Sequence, residues 1–130
     1  MQTDLIGDQT VGVKLVTDDK TAYYIPGCAA LTDDLRTRLQ DADLLFFDGT
    51  LWQDDEMIRA GLGQKTGARM GHMSMSGPDG SLAAFDGMDI AQKVFVHMNN
   101  TNPVLRPTSE EKAAAEAAGW TIGQDGMEIT

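Results

Sequence analysis

Residues 94–103 read VFVHMNNTNP. Val94, Phe95 and Val96 favour a strand, and the run of apolar side chains suits one inside a domain. His97 ends that run. Asn99, Asn100, Thr101 and Asn102 then lead to Pro103, which cannot continue a central strand. A buried strand that empties into a polar loop fits a layered α/β domain, where sites lie at such strand ends. Two readings of the loop stay open. His97 is a packed ring or a ligand fixed by its strand, and the asparagines either orient a bound molecule or cap their own backbone in Asx-turns.

Working outward, the same pattern recurs. DLLFF (43–47) is a continuous apolar run, which predicts a strand buried on both faces. VGVKLV (11–16) and TAYYI (21–25) predict two strands joined by a hairpin turn at TDDK. Leu31, Leu35 and Leu39 at four-residue spacing predict a short helix capped by Thr32 or Asp33. Residues 51–80, rich in Gly and Met, read as a long irregular insertion. Ser76 to Pro78 is expected to open a second helix carrying Leu82, Ala83 and Phe85. TSEEKAAAEAAG (108–119) predicts a helix with a capping box from Thr108 to Glu111 and a stop at Gly119. WTIG and MEI predict two short strands. The order is a hairpin followed by alternating strands and helices, so the fold class is α/β within one domain of 130 residues.

Charge narrows the function classes. Twenty acidic residues against ten basic ones leave a formal charge of -10. That balance argues against nucleic acid or an anionic membrane as a partner, since both need clustered Lys and Arg. The acidic groups, Asp54-Asp55-Glu56 among them, read as solvated turns and helix starts. One cysteine, Cys28, excludes an internal disulfide and fits a reducing compartment. No apolar run approaches the roughly 18 residues of a membrane span. MQTDLIGDQT has no basic and apolar regions of the signal-peptide kind. A cytoplasmic protein is expected.

Few residues can carry chemistry. There are two histidines, His72 and His97. His72 lies in RMGHMSMSGPDGS, where Gly71 permits close backbone approach and Ser74 or Ser76 can cap the following helix. The ring is then part of a loop leading to a helix, or an imidazole beside a bound anion. Asp48 ends the DLLFF strand and can cap a turn, ligate a metal or act as an acid–base group. Cys28 and the methionines around His72 read as packing residues. Two histidines without HxH or CxxC spacing make part of a metal site, because a complete one takes three or four protein ligands.

The strings YYIPGCAALTDDLRTRLQDADLLFFDGTLWQDDEM, GHMSMSGPDGS, VFVHMNNTNPVL and AAGWTIGQDGMEI resemble the coenzyme PQQ synthesis protein B family, a branch of the metallo-β-lactamase superfamily. The resemblance runs in collinear order over nearly the whole chain. It implies an αββα sandwich, of which residues 1–130 form about the C-terminal βα half. The family's H-x-H-x-D-H motif has no counterpart here, since no histidine precedes position 72. By resemblance His97 is a metal ligand, His72 assists proton transfer, Asp48 is the acidic strand-end position, and Asn99, Asn100, Asn102 and Ser74 contact substrate. IPGC stands where many superfamily members carry a metal-bridging Asp, which argues against a dinuclear hydrolase site.

The implied role is in pyrroloquinoline quinone (PQQ) biosynthesis, as iron-dependent hydroxylation of the tyrosine-derived ring of a cross-linked Glu-Tyr precursor. Alternatives are non-enzymatic binding or transport of PQQ or its precursor, and metal-dependent hydrolysis. The implied cofactor is iron (Fe2+) or zinc, held mostly by residues outside this chain, which alone is expected to be inactive. The implied partner is the PQQ precursor. Removing one sheet of a sandwich would bare an apolar face, so either self-association into a homo-oligomer through that face or poor solubility is also expected.

Overall fold

The computed structural model describes residues 12–67 and 70–129. The segment read for a leader, and Val11, lie outside the described residues. Ten elements follow in chain order: β1 (Val13–Val16), β2 (Thr21–Ile25), α1 (Asp33–Leu39), β3 (Leu44–Asp48), α2 (Glu56–Arg59), α3 (Ser81–Ala84), β4 (Gln92–Val96), a 3-10 turn (Pro103–Leu105), α4 (Glu110–Ala117) and β5 (Trp120–Ile122). The strands form one sheet in the order β1-β2-β3-β4-β5. The β1–β2 hairpin is antiparallel, and every later pairing is parallel.

Register gives the sheet two unlike faces. Ile25 pairs with Phe47, Phe47 with Phe95, and Phe95 with Ile122, so these four share one face. They join Leu39 of α1, Ala115 of α4, Phe85 and Trp120 in the core. Phe95 stacks on Trp120 at 3.8 Å between ring centroids, and Phe85 meets Phe47 edge-on at 4.8 Å. On the other face Leu44 and Phe46 are only half-buried. With Val94, Val96 and Met98 they line a groove of about 520 Å³ that ends at His97. The expectation of a strand buried on both faces is corrected accordingly: helices cover one face of β3, and the other forms the groove.

Local signals explain most boundaries. The Thr32 side chain accepts a hydrogen bond from the Leu35 backbone N–H and starts α1. Gly119, at φ 92°, ends α4 in the left-handed region that glycine adopts without strain. Three expectations are displaced. α4 is capped by Ser109, which accepts from the Lys112 N–H, so Thr108 and Glu111 do not form the box. α3 starts at Ser81 behind Gly80, because the Ser76 hydroxyl donates to the Trp52 carbonyl and the Ser74 hydroxyl to the Ser76 carbonyl. Residues 127–129, expected as a strand, pair with no strand among the described residues. Among the described residues no helix is long and apolar enough to cross a membrane.

Candidate metal centre

The parallel pairing of β3 and β4 puts Asp48 opposite Val96, one residue from His97. Gly49 then brings the two strand ends together. A Cβ at that position would lie 2.9 Å from the Phe95 Cβ and 3.1 Å from the Val96 carbonyl, so no larger residue fits without a shift. The Gly49 N–H donates to the Val96 carbonyl at 2.8 Å, and the Asn99 N–H to the Thr50 carbonyl at 2.9 Å. His97 itself sits at φ 63°. That conformation costs a non-glycine residue roughly 1–2 kcal/mol, and the loop bonds on either side hold it in place.

The insertion supplies the third member. The Gly67 carbonyl accepts from the His72 N–H at 2.8 Å, and the His72 ring stacks on the His97 ring with centroids 5.5 Å apart. One donor atom each from Asp48, His72 and His97 lies within 4.8 Å of the other two. Asp48 is fully buried, His72 half-buried and His97 exposed.

Asp48 is the anchor. Its Oδ1 accepts from the Thr50 N–H at 3.0 Å and from the Thr50 hydroxyl at 2.6 Å. Its Oδ2 accepts from the Cys28 N–H at 3.0 Å and faces His72 Nδ1 at 2.8 Å. A carboxylate has about four acceptor positions, and all are engaged. Asp48 would therefore have to give up a hydrogen bond to ligate a metal. The donor types fit the group: imidazole suits iron and zinc, and carboxylate oxygen suits both. Yet two imidazoles and one committed carboxylate fall short of a closed site. The IPGC departure acquires a structural role as well. Cys28 contributes its backbone N–H to Asp48, while its buried thiol donates to the Ala30 carbonyl. Burial pushes that thiol up to about 11, with the nearby Asp48 charge adding to the effect.

The other expected site residues are dispersed. Asn99 donates from Nδ2 to the Thr101 hydroxyl at 2.7 Å, and Asn100 is exposed. Asn102 is 2% exposed. Its Nδ2 donates to the Gly49 carbonyl and its Oδ1 accepts from the Val104 N–H. For Asn102 the capping alternative applies, and it offers no surface to a ligand. Ser74 lines a separate hollow with Asp54, Pro78 and Asp79. Two residues of the site were not singled out from sequence. Thr50 is the hub next to Asp48, and DGT at a strand end was its signal. Glu56, read as part of a solvated acidic turn, is buried; Oε1 accepts from the Trp52 N–H and Oε2 from the Thr101 hydroxyl, tying the insertion to the 99–102 loop.

Residues 3–98 match the model of the beta-lactamase superfamily domain. The chain belongs to the beta-lactamase superfamily. Within it, the chain is 56% identical over 128 residues to coenzyme PQQ synthesis protein B of Xanthomonas axonopodis pv. citri, covering 97% of this chain and 43% of that protein. It is 58% identical over 129 residues to the protein of the same name from Ruegeria pomeroyi, covering 99% of this chain and 43% of the relative. The fold superposes on a crystal structure of zinc-bound PqqB from Methylobacterium extorquens with a TM-score of 0.91 and 52% identity, over 93% of this chain and 43% of the other. The resemblance read from GHMSMSG and HMNNTNP is thus borne out, as is the metallo-β-lactamase-like fold. The chain spans less than half the length of these relatives.

Proposed function

We propose that this chain forms the C-terminal, proton-handling end of a PqqB-type metal centre acting in PQQ biosynthesis. The observation that carries the proposal is the convergence of Asp48, His72 and His97 within 4.8 Å at the end of parallel strands. In this reading His97 would hold the metal through Nε2. His72, backed by Asp48 on Nδ1, would hold or deliver a proton at its own Nε2. Asn99 and Asn100 would meet the acidic groups of the precursor, whereas Ser74, in its separate hollow, takes no part in this reading. Bound iron would supply the redox chemistry needed to put oxygen on the tyrosine-derived ring. The remaining ligands would come from residues outside this chain.

Binding or carriage of PQQ or its precursor without chemistry is the second reading, favoured by the open groove that ends at His97. Dinuclear hydrolysis is disfavoured, because the resemblance to the superfamily puts Gly27 and Cys28 at the position of the bridging carboxylate. The face bearing Leu44 and Phe46 is the surface through which copies of this chain would self-associate.

Product mass separates these readings. The full-length family protein carrying this sequence is loaded with Fe2+ and given the cross-linked Glu-Tyr precursor under air. A gain of oxygen atoms supports hydroxylation and a gain of water indicates hydrolysis. Unchanged precursor, retained stoichiometrically by protein stripped of metal, would sink the enzymatic reading in favour of the carrier.

A further inference from the structure

We infer that Thr50 is a positioning residue that sets the tautomer of His97 and thereby decides which ring nitrogen is offered to a ligand. The inference rests on the reading of His97 as a metal ligand and adds the residue that prepares it.

The Thr50 hydroxyl is buried with three partners: Asp48 Oδ1 at 2.6 Å, His97 Nδ1 at 2.9 Å and His72 Nδ1 at 3.1 Å. A hydroxyl has one proton and two acceptor positions. Asp48, as a carboxylate, only accepts, and it is the nearest partner, so the proton goes to Oδ1. The oxygen can then only accept from His97, whose Nδ1 must carry hydrogen. In a neutral ring this leaves Nε2 with its lone pair, the form that binds a metal. His72 reaches the same tautomer by a different route, donating from Nδ1 to Asp48 Oδ2 at 2.8 Å. One carboxylate therefore aligns both rings, directly for His72 and through the Thr50 hydroxyl for His97.

Nothing else bonded to His97 Nδ1 among the described hydrogen bonds duplicates this acceptor. Asn99, two residues on, donates its amide to Thr101, and Asn102 turns to Gly49. Valine matches threonine in shape and lacks the hydroxyl, so Thr50→Val isolates the effect. Serine keeps the hydroxyl and serves as the conservative rescue.

The test is long-range 15N–1H correlation of the imidazole rings in metal-free protein, with a parallel Zn2+ titration. Wild type and Thr50→Ser are expected to show His97 as the Nδ1–H form. In Thr50→Val, His97 moves toward the Nε2–H form while His72 keeps Nδ1–H, and Zn2+ affinity falls about 10–100-fold, as for other residues that orient metal-bound histidines. An Nε2–H His97 in the wild type overturns the inference even if Thr50→Val does not fold. So does an unchanged His97 pattern in a folded Thr50→Val. Wild-type protein with the expected tautomers but no Zn2+ response at His97 would instead overturn the metal reading and leave the tautomer assignment standing.

Discussion

His72 Nδ1 and Asp48 Oδ2 lie 2.8 Å apart, although 24 residues separate them and one belongs to an irregular insertion and the other to a core strand. The contact makes the insertion part of the site. It also gives Asp48 the work of an anchor, since its other three donors come from Cys28 and Thr50. Asp48→Asn replaces an acceptor by a donor among groups that all donate. The substitution is expected to lower unfolding free energy by about 2–4 kcal/mol in urea, the cost of unmatched buried polar groups. A loss below about 1 kcal/mol would mean that the four hydrogen bonds do not hold the carboxylate as described.

His97 occupies the left-handed region while exposed, so its conformation costs stability and its side chain contributes little packing. His97→Gly should therefore leave stability unchanged or raise it by about 1 kcal/mol. The same change should abolish metal binding. Thermal melts with and without Zn2+ read both effects, and a strongly destabilised variant would contradict the strain assignment.

Gly49→Ala tests the close approach of the strand ends. The added methyl must displace the Phe95 Cβ or the Val96 carbonyl, neither of which is the free end of a flexible chain. A loss of about 1–3 kcal/mol is expected. Asp48 and His97 should separate with it, seen as lost protection of the Gly49 and Asn99 amides in hydrogen exchange. Wild-type protection would show that the loop absorbs the methyl elsewhere.

The Cys28 thiol supplies a pH prediction. Its folded value of about 11 lies above the ordinary 9.0 because burial disfavours the thiolate. Above pH 9 the unfolded chain loses this proton first, so stability falls as pH rises toward 11 and is fully retained below 9. The loss is of order 2–3 kcal/mol at about 1.4 kcal/mol per unit. Urea unfolding of wild type and Cys28→Ala at pH 8 and pH 11 isolates it. An equal fall in both proteins would remove Cys28 as the cause.

Much of the architecture was legible because it is written locally. The aromatic and β-branched residues of TAYYI, the apolar LLFF and VFV runs, and the Thr32 cap each act within a few residues. The misplaced boundaries have non-local causes. Ser76 looked like a cap but bonds to Trp52, 24 residues earlier. Ser109 displaced Thr108 as a cap, two adjacent hydroxyls that pattern alone cannot rank. MEI pairs with no strand among the described residues. At the site, His72, His97 and Asp48 stood out by residue type. Thr50 and Glu56 did not, because their importance lies in partners 45 to 47 residues away. Asn102 was read outward toward a ligand, yet its amide is used up inside by Gly49 and Val104.

His97, prepared by the Asp48–Thr50 pair, is the metal ligand proposed for this chain. Zn2+ titration followed at the ring nitrogens tests this role most directly. Saturable, weak binding that shifts His97 Nε2 and disappears in His97→Ala is expected, because one imidazole without its partner ligands makes an incomplete site. Binding that survives His97→Ala, or that leaves the His97 ring unshifted, would contradict it.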